Sequence, residues 1–184
     1  MLLNSEKKIH LSYCLNIHPG ESWDENFKAI SDYTVPIRKS LLPSKVPFGL
    51  GLRLSNKAVN EILIPGKLDV FKQFMANNNF YVFTINGFPY GQFHSSSVKT
   101  GVYYPDWRTS ERTQYTIKLI KTLSELIPDG INGSISTVPG SYSMWIKSDY
   151  DRLLMVSNII KCAWYCDIIK QKTGKIIEIG LEPE

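Results

Sequence analysis

The sequence predicts an α/β fold: part of an eight-stranded (β/α) barrel, with about five strands and four helical crossovers present. Three observations predict it. Apolar stretches of strand length alternate with longer stretches of helical periodicity, the rhythm of βα units and a parallel sheet. Each predicted strand carries one apolar face and one face of small or polar residues. That suits a barrel, whose strands meet helices on one side and line an interior on the other. Strands of an open doubly wound sheet are covered on both sides and read as nearly continuous apolar runs. No Gly-rich dinucleotide fingerprint follows the first strand, which weakens the doubly wound reading further.

The first strand is read over 10–16, with Leu11, Tyr13, Leu15 and Ile17 on one face and His10, Ser12, Cys14 and Asn16 on the other. Ser22-Trp23-Asp24-Glu25 is a capping box, in which the Ser22 oxygen takes one free backbone N–H and Glu25 reaches back for another. Trp23, Phe27, Ile30 and Ile37 then share one helix face. The second strand, 48–54, sets Leu50, Leu52 and Leu54 against Gly49, Gly51 and Arg53. Ser55 caps a short helix carrying Val59, Ile62 and Leu63. Pro65-Gly66 breaks it, and a second piece carries Leu68, Phe71 and Met75. Asn77-Asn78-Asn79 closes that piece, because Asn tolerates the left-handed C-cap conformation.

The third strand, 80–86, is rich in β-branched and aromatic residues and breaks at Asn86-Gly87 and Phe88-Pro89. No helix signal returns before Thr109, so this connection is about twice the usual length. Its aromatics, its histidine and its place at a strand exit predict a lid over a pocket, from Asn86 to Asp106. Thr109 or Ser110 starts a helix with Ile117, Ile120, Leu123 and Ile127 as its stripe, ended by Pro128-Asp129-Gly130. The fourth strand is 131–137. A long helix over 148–172 is expected to turn Val156, Ile159, Ile160 and Ala163 inward, and Gly174 stops it. In the last strand, 175–182, Ile177, Ile179 and Leu181 oppose Glu178, Gly180 and Glu182.

The 184 residues, 43% of them apolar, can build a real core. Residues 1–184 are read as the N-terminal part of a single barrel domain, because a closed eight-stranded barrel takes about 250 residues; a smaller complete α/β domain is the alternative. The net charge of +4 is scattered, with no basic run longer than Lys7-Lys8, so nucleic acid is not an expected partner. No apolar signal-peptide core and no stretch of membrane-spanning length occur. Three cysteines without an export signal favour reduced thiols and a cytoplasmic location. No Cys/His spacing suggests zinc.

In a barrel, ligands meet the C-terminal strand ends. The interior-facing residues expected there are Asn16, Arg53, Asn86, Ser136 and Glu182, with His18, Glu21, Tyr90, His94 and Asp106 in the loops above. Such a set can hold a polyol or sugar-like molecule by hydrogen bonds. Asn16, His18, Arg53, Asn86, Tyr90, Asp106 and Ser136 are the candidate substrate-binding residues, and Glu182 and His94 the candidate catalytic ones. Plainer roles stand beside these. Arg53 can pair with Glu178 or Glu182 across the interior. Asn86 can serve the turn at Asn86-Gly87, Ser136 can fill space, and His18 and His94 can be ordinary loop histidines. Glu182 is singled out because a carboxylate aimed into an interior is costly unless it is paired or binds a metal.

Seven motifs occur in order: Ser12-Tyr13-Cys14 with Asn16-Ile17-His18-Pro19-Gly20-Glu21-Ser22-Trp23; Phe48-Gly49-Leu50-Gly51-Leu52-Arg53-Leu54; Tyr81-Val82-Phe83-Thr84-Ile85-Asn86-Gly87-Phe88-Pro89-Tyr90-Gly91; Tyr104-Pro105-Asp106-Trp107-Arg108; Gly133-Ser134-Ile135-Ser136-Thr137-Val138-Pro139-Gly140; and Leu181-Glu182-Pro183-Glu184. Together they resemble the EboE metabolite-traffic proteins, over nearly the whole chain from residue 10. The resemblance implies a xylose isomerase-like TIM barrel, longer than this chain. It implies a sugar phosphate isomerase/epimerase-like protein that acts on or binds a small polar metabolite, with partner proteins in a system moving a precursor toward the cell envelope. In the wider superfamily a Glu at the end of a middle strand ligates a divalent metal. Glu182 matches that position, so Mn, Mg or Zn is the implied cofactor, with its other ligands on later strands. Superfamily chemistry would have the metal hold two neighbouring oxygens of a hydroxy-carbonyl substrate while a carboxylate moves a proton between carbons. Two further readings are a non-catalytic metabolite-binding or carrier protein, and a metal-dependent abasic-site endonuclease-like enzyme, which the scattered charge disfavours.

Overall fold

Five of the chain's strands form one parallel sheet whose order follows the sequence: β3 (Ser12–Cys14), β4 (Phe48–Arg53), β5 (Phe80–Asn86), β6 (Gly133–Thr137) and β7 (Ile177–Leu181). The computed structural model describes residues 1–6, 9–91 and 99–182. Because the strand order never reverses, the sheet has no switch point of the doubly wound kind. Helices α1 (Trp23–Ala29) and α2 (Val35–Leu41) cross from β3 to β4, and α3 (Asn56–Ile62) and α4 (Lys67–Asn78) from β4 to β5. Single helices α5 (Ser110–Leu126) and α6 (Asp149–Thr173) make the remaining crossovers. Neighbouring crossovers touch in order, α1 on α3, α3 on α5 and α5 on α6. Between helices and sheet lies the core, built on Leu50, Leu52, Val82, Ile85, Ile135 and Leu119, all essentially without solvent exposure. Toward the C-terminal strand ends the opposite face of the sheet carries small and polar residues and stays open; at its other end Tyr81 and Phe83 pack with His10, and the start of the chain lies against Gly49.

Local chemistry explains most boundaries. Both halves of the capping box at Ser22 form: the Ser22 oxygen accepts from Glu25 N–H, and the Glu25 carboxylate accepts from Ser22 N–H at 2.8 Å. Ser55 caps α3, Thr109 caps α5 and Ser148 caps α6. Asn79 ends α4 at φ 53°, the left-handed conformation expected of it. Gly174 ends α6 at φ 72°, where a side chain would be strained. One feature had no sequence signal: a π-helical turn over Ile30–Thr34 joins α1 to α2. Pro36 follows it in the first turn of α2 and has no N–H to continue the α ladder, and a π turn absorbs the extra residue.

The structure corrects three expectations. The first strand is shorter than 10–16. Ile9–His10 (β2) instead pairs antiparallel with Leu2–Asn4 (β1), and Leu15–Ile17 is a 3-10 turn. That turn buries Leu15 but leaves Ile17 exposed, because a three-residue period replaces the strand's two. The inward face of α6 is Met155, Asn158, Ile159, Cys162 and Cys166, whereas Val156, Ile160 and Ala163 point to solvent. Polar anchors fix that rotation: Asn158 Nδ2 donates to the Trp107 carbonyl at 2.9 Å, and the Cys162 thiol lies 3.7 Å from the Thr113 carbonyl. Arg53 pairs with neither Glu178 nor Glu182, as described below.

Candidate functional site

The open face of the sheet is organised in rows by strand register. One row runs Cys14, Gly51, Thr84, Ser134, Glu178, and the next toward the C-terminal ends runs Arg53, Asn86, Ser136, Gly180. A bulge in β5 makes the rows possible. Leu50 pairs with Val82 but Gly51 pairs with Thr84, so Phe83 is the extra residue. Strict alternation from buried Phe80 and Val82 would send Thr84 and Asn86 to the helix side. The bulge returns both to the open face and leaves Ile85 in the core.

Above these rows lies a basin of about 430 Å³, lined by Cys14, Asn16, Thr84, Asn86, Ser136 and Glu182 among others. Gly51 keeps its floor low, since a Cβ there would sit 3.2 Å from Ser12 Oγ and 3.3 Å from Thr84 Cγ2. Ser134 Oγ donates to Thr84 Oγ1 at 2.9 Å. The Asn86 side-chain oxygen accepts from Phe88 N–H at 2.9 Å, so the turn role expected of it is real and fixes the carboxamide. The Asn16 side-chain oxygen is buried and has no hydrogen-bond partner among the described residues. Glu182 stands on the rim, its backbone N–H donating to the Thr137 carbonyl at 3.0 Å. Four of the predicted site residues, Asn16, Asn86, Ser136 and Glu182, therefore meet in one place.

The others do not line this basin. Arg53 is 1% exposed, and its guanidinium donates to the Gly20 carbonyl at 2.6 Å, the Glu21 carboxylate at 2.7 Å and the Gly91 carbonyl at 2.9 Å. It thus ties the loop after β3 to the loop after β5. Asp106 is fully buried. It accepts from Arg108 Nε at 2.9 Å and from Ser141 Oγ at 2.6 Å, joining the loops after β5 and β6, and raises the Arg108 pKa through that bond. His18 lies beside β3, 3.1 Å from the Tyr13 hydroxyl and stacked on Tyr33 with centroids 4.9 Å apart; burial lowers its pKa. Tyr90 borders a separate cleft of about 260 Å³ with Tyr104 and Glu111. His94, the other candidate catalytic residue, lies outside the described residues, as does the middle of the predicted lid, 92–98.

The sequence reading missed Ser12, Cys14, Thr84 and Ser134 as basin residues. Ser12 and Cys14 stood on the polar side of the alternation, which could have found them. Thr84 could not be found, because the bulge has no composition of its own. Arg112 was also missed. Buried in α5, it donates to the carbonyls of Pro105 at 2.7 Å, Gly87 at 2.9 Å and Phe88 at 3.2 Å, and Tyr115 donates to the Pro89 carbonyl at 3.2 Å. Both roots of the long loop are thereby fastened to one helix. An arginine in a helix ordinarily reads as a solvated face.

The donor set bears on a metal. Among the described residues no three His, Cys, Asp or Glu side chains converge. The basin offers one carboxylate, Glu182, and otherwise neutral oxygens and a thiol. Hard divalent cations take several oxygen ligands, usually with more than one carboxylate, so these residues alone do not fit such an ion. The thiols differ sharply. Burial pushes Cys162 up to about 12 and Cys166 up to about 11, while Cys14 is exposed at the basin. Among the described residues no helix is long and apolar enough to cross a membrane. No family model, curated protein or solved structure matches the chain.

Proposed function

We propose that this chain is a metabolite-binding portion of a xylose isomerase-like (β/α) barrel, related to the EboE metabolite-traffic proteins, and that the basin holds a small polyhydroxylated molecule. The observation that carries the reading is the meeting of Asn16, Asn86, Ser136 and Glu182 above the C-terminal strand ends. Amide and hydroxyl groups at that end of a parallel sheet, with a carboxylate to accept hydrogen bonds from two hydroxyls, match the edges of a polyol. Asn16 supports it as well, because its side chain lines the basin and its oxygen is committed to no partner among the described residues. The unreversed strand order supports the barrel, and the seven motifs support the family. Isomerisation would need an acid–base group to move a proton between carbons in addition to the carboxylate that holds the substrate, and His94, outside the described residues, is the candidate for that role. On this reading the protein works in the cytoplasm, with all three thiols reduced.

The test is a thermal-shift panel of pentoses, hexoses, polyols and their phosphates. One class should raise the melting temperature in a saturable way, and Asn16→Ala and Glu182→Gln should each weaken that shift about tenfold or more in concentration. A panel without effect up to about 10 mM, well above the millimolar limit of weak specific binding, would overturn the reading.

A further inference from the structure

The charge at the basin is of one sign. Among its described lining residues the one charged side chain is Glu182, whose carboxylate makes no ion pair or hydrogen bond among the described residues. Glu178 adds a second carboxylate on the same face of β7. It stands in register with Ser134, is exposed, and likewise has no side-chain partner among the described residues. Four residues of strand separate the two by about 13 Å. Between them Gly180 leaves the strand bare, since a Cβ there would meet no heavy atom nearer than the Ile135 carbonyl oxygen at 3.9 Å. A ligand group over Gly180 therefore lies within about a Debye length of both carboxylates at physiological salt.

The groups that could hold an anion here are committed elsewhere. Arg53 turns its guanidinium to Gly20, Glu21 and Gly91. Arg108 is taken by Asp106 and Asp151. Arg112 is taken by the carbonyls of Pro105, Gly87 and Phe88. Lys99 and Lys147, on the segments after β5 and β6, do not line the basin. Helix N-termini are ready anion sites, and α1, α3, α5 and α6 all begin at the C-terminal end of the sheet. Each is capped by its own side chain, from Ser22, Ser55, Thr109 and Ser148. Glu25 and Asp151 set a carboxylate at two of them as well.

We infer that the basin selects amine-bearing hydroxylated ligands over their neutral parents, and neutral parents over phosphates. The inference rests on the reading of the basin as a polyol site and narrows the ligand class of that site. A protonated amine over Gly180 is attracted by Glu182 and Glu178, while the ligand's hydroxyls keep Asn16, Asn86 and Ser136 as partners. A phosphate in the same place carries close to two negative charges at neutral pH and is repelled by both carboxylates. Because the carboxylates are exposed, each ligand charge shifts affinity by the size of a surface ion pair, about twofold to fivefold.

Thermal-shift titrations of the whole chain test this with matched triplets of parent sugar, 2-amino sugar and terminal phosphate on ribose, glucose and mannose skeletons. The half-saturating concentration should rise about twofold to fivefold from amine to parent, and about tenfold or more from amine to phosphate. Sodium chloride at about 1 M, where the Debye length falls to about 3 Å, should narrow that spread. Glu182→Gln should narrow it too while weakening all three, and Glu182→Lys should place the phosphate ahead of its parent. Both variants should melt as wild type without ligand, because Glu182 is exposed. A phosphate that binds as tightly as its parent sugar, or an order unmoved by Glu182→Lys, would overturn the charge selection and leave the polyol reading standing. No saturable shift from any triplet would overturn both.

Discussion

Arg53 shows how much one side chain decides here. Its charge sits on the last residue of β4, essentially without exposure, and its partners come from two other loops. Removing one partner of a buried pair leaves the other charge uncompensated, which costs about 3–5 kcal/mol. Glu21, the carboxylate partner, is partly exposed, so the effect falls toward the lower end. Arg53→Met should lower the melting temperature by several degrees in a circular-dichroism melt, whereas Glu182→Gln should leave it unchanged, since Glu182 stands exposed on the rim. Equal melts for wild type and Arg53→Met would contradict the clamp. The sequence placed Arg53 at a strand end but not its partner, because Glu21 lies 32 positions away and loop geometry brings them together. Glu25 gives a pH-dependent counterpart. Backbone and side-chain hydrogen bonds from Ser22 and Glu21 hold its carboxyl down to about 2, against the ordinary 4.5. A depressed carboxyl stabilises the fold above its unfolded value and loses that contribution as the pH falls toward the folded one. The advantage of wild type over Glu25→Gln should therefore shrink between about pH 4.5 and pH 2 in parallel melts, and an advantage constant across that range would contradict the capping role.

The elements themselves were legible where they rest on local chemistry. Caps at Ser22, Ser55, Thr109 and Ser148, and the stops at Asn79 and Gly174, lie where their side chains or their freedom of φ require. Asn79 offers a clean check at φ 53°. An Ala there should cost about 1–2 kcal/mol of unfolding free energy in urea, and Gly should be neutral or better; an Ala variant as stable as wild type would show that the turn has another conformation available. Elements shaped by distant contacts were not legible. The rotation of α6 misleads because apolar residues occupy both of its sides, and only Asn158 and Cys162, bonded to carbonyls of the preceding crossover, choose between them. The bulge at Phe83 is likewise set by the pairing of β5 with β4 rather than by its own composition.

At the scale of the molecule, the alternation of small and apolar residues foretold a parallel sheet covered by helices on one side. The same pattern put Ser136 and Glu182 at one end of its open face, where the 3-10 turn after β3 adds Asn16 and the bulge at Phe83 adds Asn86. Loops that carry other candidates, Asp106 and Tyr90, turned instead to fastening the scaffold or bordering a second cleft. Side-chain anchors from Arg53, Arg112 and Tyr115 hold the roots of the long loop by its carbonyls, so a ligand should order little of residues 87–91 beyond what they already have. Hydrogen exchange there should be slow before ligand is added. The claim that the basin is a binding site has a built-in reporter. Cys14 lines it with an accessible thiol, while Cys162 and Cys166 are buried and hard to ionise. Thiolate is the reactive form, so alkylation of the folded chain by iodoacetamide, followed by mass spectrometry, should modify Cys14 first. With the polyol or sugar phosphate that raises the melting temperature, Cys14 alkylation should slow about tenfold at saturation. Unchanged Cys14 alkylation under a saturating ligand that still stabilises the fold would place the binding site elsewhere and contradict the account.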